Sequence, residues 1–199
     1  MHREVQGGNT LLISGPASAA VTSGKVAVLG MELAEGDKII VRRGKSIPFE
    51  AEVNSVLDIV LGAEASVHEE AGSTIPDSWR EGVEEIISQE KPCTVMVLGD
   101  VDSGKTTFST FLINKTLASE FKPVIIDVDL GQSNIGPPTS ISLGFISEPL
   151  ADLFSAKPTA IFFTGLTSPN GITNRVVSGL EAIRKRVSEG MMDLTVINT

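Results

Sequence analysis

Apolar positions along this chain follow two rhythms. Up to about residue 72, short apolar or alternating runs recur at Thr10–Ser14, Lys25–Leu29, Asp37–Val41, Ile47–Val53 and Ser55–Leu61. The turn signals Ser23-Gly24, Glu35-Gly36-Asp37 and Arg43-Gly44 separate them at close spacing, as in a sandwich or barrel. A small all-β domain is therefore expected over residues 1–72. Residues 73–92 read as a linker and a helix. Asp77 or Ser78 caps that helix, Trp79, Val83, Ile86 and Ile87 form its apolar stripe, and Pro92 stops it.

From residue 93 the rhythm becomes strand–helix alternation, the pattern of a parallel sheet covered by helices. Strands are predicted at 94–98, 124–128, 141–146, 160–164 and 194–198. Helices are predicted at about 105–119 and 174–189, the second with Val176, Leu180, Ile183 and Val187 on one face. The fold class read from this is α/β: a parallel sheet with flanking helices of the P-loop NTPase type, preceded by the all-β domain. Because residues 194–198 read as a core strand with no turn after it, further strands and a lid are expected to follow the kinase-like region 93–199.

The chemistry concentrates where the first α/β strand meets its helix. Gly99-Asp100-Val101-Asp102-Ser103-Gly104-Lys105-Thr106 matches G-x-x-x-x-G-K-[ST] in full, and Thr107 continues it. Glycines let such a loop turn its N–H groups onto phosphate oxygens, and the helix end adds unpaired donors and a positive dipole. Lys105 is placed to reach the β- and γ-phosphates and Thr106 to hold magnesium. The loop thus predicts a nucleoside triphosphate site, for ATP or GTP. A second motif, Asp127-Val128-Asp129-Leu130-Gly131-Gln132, falls at the C-terminal end of the next strand, the edge where open α/β sheets place their ligands. Two carboxylates there divide two tasks, one holding magnesium through water and one taking a proton from an attacking hydroxyl. The competing roles are a strand-end carboxylate hydrogen-bonded to the loop for Asp127 and a turn cap for Asp129.

Composition narrows the rest. A net charge of −9 argues against a broad nucleic-acid surface, though not against a grip on the end of a strand. The single cysteine, Cys93, excludes a disulfide framework and fits a reducing, cytoplasmic setting, where it reads as a small buried residue. No stretch is apolar and long enough to span a membrane. His2 and His68 are isolated, so neither a protein zinc site nor a Ser–His nucleophile is supported. Arg184-Lys185-Arg186 reads as a solvated helix end, and Arg42, Arg43 and Lys45 as a charged hairpin.

Together the two motifs, the stretch Gly136-Pro137-Pro138-Thr139 and the segment Phe162–Asn170 resemble the polynucleotide 5′-hydroxyl kinases. That family includes archaeal RNA kinases and eukaryotic kinases of tRNA splicing, pre-mRNA cleavage and ribosomal RNA processing. The resemblance is good over residues 94 to about 190 and rests on position and size in the β domain. It implies transfer of the γ-phosphate of ATP, with Mg2+, to the 5′-hydroxyl of an RNA end, with DNA as the alternative strand. It implies Lys105 on the phosphates, Thr106 on magnesium, Asp129 as general base and Gln132 orienting substrate or water. Asp127 falls where the family has either acid. Ser168 and Asn174 fall in the loop that approaches phosphate or RNA, with helix capping as the alternative. The family's lid arginines have no counterpart before Thr199. Two rival readings stand beside this one. A GTPase would share the first loop but needs D-x-x-G and N-K-x-D; Val128 stands three before Gly131, and Asn114-Lys115-Thr116-Leu117 has the wrong fourth residue. A non-catalytic ATP-binding scaffold of an RNA-processing complex would retain the same loop.

Overall fold

In the computed structural model, residues 1–188 and 191–199 are described, and the chain forms two compact units, Met1–Arg80 and Glu81–Thr199. The predicted end of the last helix at 189 lies outside the described residues.

The first unit is built from nine strands: β1 (His2–Val5), β2 (Thr10–Ser14), β3 (Ala17–Ser23), β4 (Val26–Val28), β5 (Met31–Leu33), β6 (Lys38–Val41), β7 (Ser46–Ala51), β8 (Ser55–Leu61) and β9 (Ser66–Glu70). They pair antiparallel throughout, in a four-stranded sheet ordered β1-β8-β3-β6 and a five-stranded sheet ordered β5-β4-β7-β2-β9. Alternation explains the faces. Leu57 and Ile59 of β8, Ile47 and Phe49 of β7, and Leu11 and Ile13 of β2 are all buried, as in two sheets closing on an apolar interior. β3 carries the same period on small residues, burying Ala17, Ala19 and Val21, a signal too weakly apolar to be read from the sequence. β9 is an exposed edge strand and was equally silent. The segment after β9 is tied to this unit: Thr10 Oγ1 donates to Gly72 O at 2.7 Å, and Arg80 pairs with Glu50 at 3.0 Å. The unit boundary falls inside helix α1 (Asp77–Ser88).

The second unit contains β10 (Cys93–Val97), α2 (Lys105–Ala118), β11 (Pro123–Asp127), β12 (Ser140–Phe145), a short 3-10 turn (Leu153–Ser155), β13 (Ala160–Phe163), α3 (Thr173–Ser188) and β14 (Leu194–Asn198). Its sheet runs β10-β14-β11-β12-β13. β10, β14 and β11 are mutually parallel, whereas β12 pairs antiparallel with both β11 and β13. The expectation of a parallel sheet is corrected to a mixed one. The cause is the connections: a parallel return needs a crossover, usually a helix, and neither Val128–Thr139 nor Ile146–Thr159 contains an α-helix. Because β13 reverses twice relative to β11, the C-terminal ends of β10, β14, β11 and β13 all lie along one edge. α3 covers one face with the stripe Val176, Leu180, Ile183 and Val187, packed on Val124, Ile126, Leu130, Ile141 and Leu143. α2 is buried along most of its length, with Phe111, Leu112 and Ile113 at most 1% exposed, and packs against β14 and β11.

Candidate functional site

The last strand in the sequence inserts between the first two strands of the sheet. Val97, Asn198 and Asp127 consequently stand side by side at the C-terminal edge. The loop 98–104 leaves beside Val97, the loop 128–139 leaves beside Asp127, and the loop 164–172 leaves from β13 at the same edge.

The phosphate-loop geometry follows from its residues. Gly104 sits at φ +90°, a left-handed conformation that a side chain disfavours, and serves as the N-cap of α2 without a side-chain bond. The amides of the first turn are thus left for an outside acceptor. A Cβ on Gly99 would lie 2.5 Å from Ser103 Oγ, so any larger residue there would require the serine hydroxyl to turn away. Asp102 takes a positive φ of 58°, and Ser103 N donates to Asp100 O at 3.3 Å, tightening the turn. Lys105 is half-buried and its Nζ donates to Gly99 O at 2.9 Å and Asp100 O at 2.8 Å, held over the loop by the carbonyls alone. The Thr106 hydroxyl, also half-buried, has no protein partner among the described residues. Val101 and Thr107 complete the loop, the former exposed and the latter half-buried.

The two acidic residues of the second motif separate in character. Asp127 is fully buried and saturated. Its Oδ1 accepts from Asn198 Nδ2 at 3.1 Å and from Asp129 N at 3.4 Å, and its Oδ2 accepts from Asn134 N at 2.6 Å, Ser133 Oγ at 3.2 Å and Ile135 N at 3.3 Å. A carboxylate offers about four acceptor sites. Protein donors occupy both of its oxygens, so Asp127 ties residues 129–135 to β14. Asp129 is half-exposed: its Oδ1 caps the turn by accepting from Gly131 N at 3.0 Å and Gln132 N at 2.8 Å, while its Oδ2 has no protein partner among the described residues. Asp129 therefore fixes the turn with one oxygen and keeps the other clear of protein donors among the described residues. The Gln132 side chain is exposed, and the Gln132 backbone carbonyl accepts from Asn134 Nδ2 at 3.0 Å.

The third loop is joined to the second. Thr139 O accepts from Thr164 N at 2.8 Å and from Thr164 Oγ1 at 2.7 Å, and Thr139 N donates to Leu130 O at 2.8 Å. A Cβ on Gly131 would stand 3.3 Å from Thr167 O, so the Asp129 turn and the Thr167-Ser168 stretch run against each other. Ser168 Oγ accepts from Asn170 N at 3.3 Å, a local turn bond. Asn174 is exposed in the first turn of α3, where Arg175 donates to Phe163 O at 3.1 Å through Nη2. Sequence reasoning missed Asn198 and Ser109, whose Oγ donates to Asn198 Oδ1 at 3.3 Å. The available signal was a polar side chain closing an otherwise apolar strand, Leu194-Thr195-Val196-Ile197-Asn198. Among the described residues no group of three or more His, Cys, Asp or Glu side chains could hold a metal ion, and no helix is long and apolar enough to cross a membrane.

A glycine-framed loop between strand and helix, opening at the carboxyl edge of an α/β sheet with an acidic residue beside it, defines a phosphate-loop protein. Residues 99–199 match the family model described as the P-loop of the mRNA cleavage and polyadenylation factor CLP1, and the chain belongs to that family. It is 35% identical over 125 residues to a polyribonucleotide 5′-hydroxyl-kinase of Pyrococcus horikoshii, covering 63% of this chain and 34% of that protein. A kinase of the same name from Methanocaldococcus jannaschii is 36% identical over 125 residues, with the same two coverages. A CLP1 homolog of Brugia malayi aligns over 94% of this chain and 48% of its own length, at 23% identity. The chain thus spans about a third of the length of the kinases it matches. Among solved structures, wild-type Clp1p in its complex with Pcf11p superposes over 100% of this chain and 53% of its own, with a TM-score of 0.80 at 20% identity. That likeness establishes a shared fold across both units.

Proposed function

We propose that this protein is an ATP-dependent polynucleotide 5′-hydroxyl kinase acting on RNA ends. The observation that carries the reading is the unpartnered Oδ2 of Asp129, held on a rigid turn at the same sheet edge as the open end of α2. The relatives named as polyribonucleotide 5′-hydroxyl-kinases support the same reaction class.

The chemistry divides among this chain's residues as follows. The first-turn amides of α2 and Lys105 bind the β- and γ-phosphates, Lys105 exchanging its two carbonyl partners for phosphate oxygens. Asp129 accepts the proton of the strand's 5′-hydroxyl as its oxygen attacks the γ-phosphorus in line. The bond to the β-phosphate oxygen breaks, and ADP leaves. Gln132, exposed beside Asp129, orients the acceptor or a water. Ser168 and Asn174 lie on the adjoining loop and helix start, where they contact the incoming strand. Magnesium bound with the nucleotide neutralises β- and γ-phosphate charge. The residues present fit such an ion through the free Thr106 hydroxyl, with phosphate and water completing its shell rather than a protein cage. An acidic chain is compatible with this task because only the terminal nucleotides are gripped.

The test is transfer of labelled γ-phosphate from ATP with magnesium to a 5′-hydroxyl RNA oligonucleotide, alongside its 5′-phosphorylated copy and a DNA strand. Label on the hydroxyl RNA alone is the expected result. ATP binding without label on any strand would replace the kinase by an ATP-binding scaffold, and preference for GTP would move the chain to the GTPase reading.

A further inference from the structure

A chain of buried polar side chains runs across the sheet beneath the site. Ser109 and Asp127 are fully buried and Asn198 is 1% exposed. Ser109 lies three residues beyond Thr106, so it follows on nearly the same face of α2. Its hydroxyl meets Asn198 Oδ1 at 3.3 Å, and Asn198 Nδ2 meets Asp127 Oδ1 at 3.1 Å. The orientation of the amide is dictated by chemistry: an ionised carboxylate only accepts, so the NH2 must face Asp127 and the oxygen must face the hydroxyl. Asp127 in turn gathers Ser133, Asn134 and Ile135 on Oδ2 and the amide of Asp129 on Oδ1. Apart from the part-buried bond from Asp129 N, every bond in the chain is buried, where an orphaned partner is costly.

We propose that Asn198 is a positioning residue for phosphoryl transfer: it couples the phosphate-binding helix to the turn bearing Asp129 by orienting the Asp127 carboxylate. The inference rests on the kinase reading for its catalytic consequence, but the coupling itself is a property of the fold. Asn198 is 1% exposed and acts through its neighbours. It sets the plane of a carboxylate whose other four donors define the shape of residues 129–135, and through them the place of the Asp129 oxygen. The register of β14 between β10 and β11 is what makes this possible, because Asn198 is in line with the last residue of both neighbouring strands.

An exchange of donor and acceptor tests it. In Asn198→Asp two carboxylates face each other across the 3.1 Å bond, the Asp127 plane turns, and kcat falls about a hundredfold, as expected for a displaced catalytic group, with KM for ATP nearly unchanged. In the double variant Asp127→Asn with Asn198→Asp the roles are reversed. The new amide oxygen takes the three donors of residues 133–135, its NH2 donates back across the strand pair, and the new carboxylate still accepts from Ser109; only the long bond from Asp129 N is lost. The double variant should regain about tenfold in kcat over Asn198→Asp, a coupling within the range seen for contacting pairs.

Hydrogen exchange at the Asn134 and Ile135 amides gives a readout independent of activity, faster in Asn198→Asp and slow again in the double variant. Should Asn198→Asp not fold, Ser109→Ala removes a single donor from the same chain and should lower kcat several-fold without altering KM for ATP. Wild-type exchange and kcat in Asn198→Asp would overturn the proposal. Restored exchange without restored kcat would also overturn it, by showing that the Asp127 carboxylate itself takes part in the reaction. If the wild-type protein transfers no phosphate, the kinase reading fails on its own, and the exchange rates still decide the coupling.

Discussion

Asp129 allows chemistry to be separated from folding by choice of substitution. Its Oδ1 holds the amides of Gly131 and Gln132, whereas its Oδ2 has no partner among the described residues. Asp129→Asn can keep an oxygen on those two amides and place its NH2 where Oδ2 stood, so the turn survives and stability changes by less than about 0.5 kcal/mol, typical of a surface substitution. The general base is lost, however. Base catalysis contributes about 10²–10⁴-fold, or roughly 3–5 kcal/mol of barrier. Phosphoryl transfer should fall by that factor while ATP binding stays near wild type. Asp129→Ala removes the cap as well, leaving two amides without their acceptor, and should cost about 1–2 kcal/mol of stability in addition. Single-turnover transfer to a 5′-hydroxyl oligonucleotide, paired with denaturant unfolding of each variant, measures both quantities. Transfer by Asp129→Asn at the wild-type rate would refute the base assignment. A loss of stability equal to that of Asp129→Ala would show that the amide cannot cap the turn, and the separation would fail.

Lys105→Ala should weaken ATP binding about tenfold to a hundredfold, the value of one charge-assisted hydrogen bond, with little change in stability because its present carbonyl bonds are at the surface; calorimetric titration with ATP checks it. At Gly179 in α3 an added Cβ would lie 2.6 Å from Phe162 Cδ1 and 2.9 Å from Ile141 Cδ1, so overpacking of about 1–3 kcal/mol outweighs the gain of about 1 kcal/mol in helix propensity. Gly179→Ala should therefore lower the denaturant midpoint, and a raised midpoint would contradict the packing. Burial pushes the Cys93 thiol pKa up, so less thiolate is present at neutral pH than for a free cysteine. Alkylation by iodoacetamide should be slow near pH 7 and accelerate only as pH rises past the normal thiol range, and a midpoint below that range would refute it.

Legibility differed between elements for physical reasons. Strands with strong alternation, Thr10–Ser14, Ser55–Leu61 and Leu194–Asn198, stand in the structure at the residues read from the sequence. β1, β3, β5 and β9 escaped because they are short, edge-exposed or built on alanine, and small side chains carry little hydrophobic contrast. The helical face of α3 was readable because Val176, Leu180, Ile183 and Val187 repeat at the spacing that packs one stripe onto the sheet. The direction of β12 and β13 was harder, since apolar runs look alike in either sense, although the lack of an intervening α-helix carried the information.

Within the site the same division holds. The phosphate loop was determined by the sequence itself, because it depends on contiguous backbone amides, the left-handed conformation of Gly104 and the end of the helix that follows. All of these are local. Asp129 belongs there too: its cap reaches only two and three residues ahead. The fate of Asp127 rests on both: four of its donors lie two to eight residues ahead, and the fifth comes from a distant strand. Its partner Asn198 lies 71 residues away in sequence, and the bond from Ser109 to Asn198 spans 89. Only the insertion of the last strand between the first two brings these groups within reach. Burial then requires each polar atom to find a partner, which makes this carboxylate the fixed centre of the loop beside it.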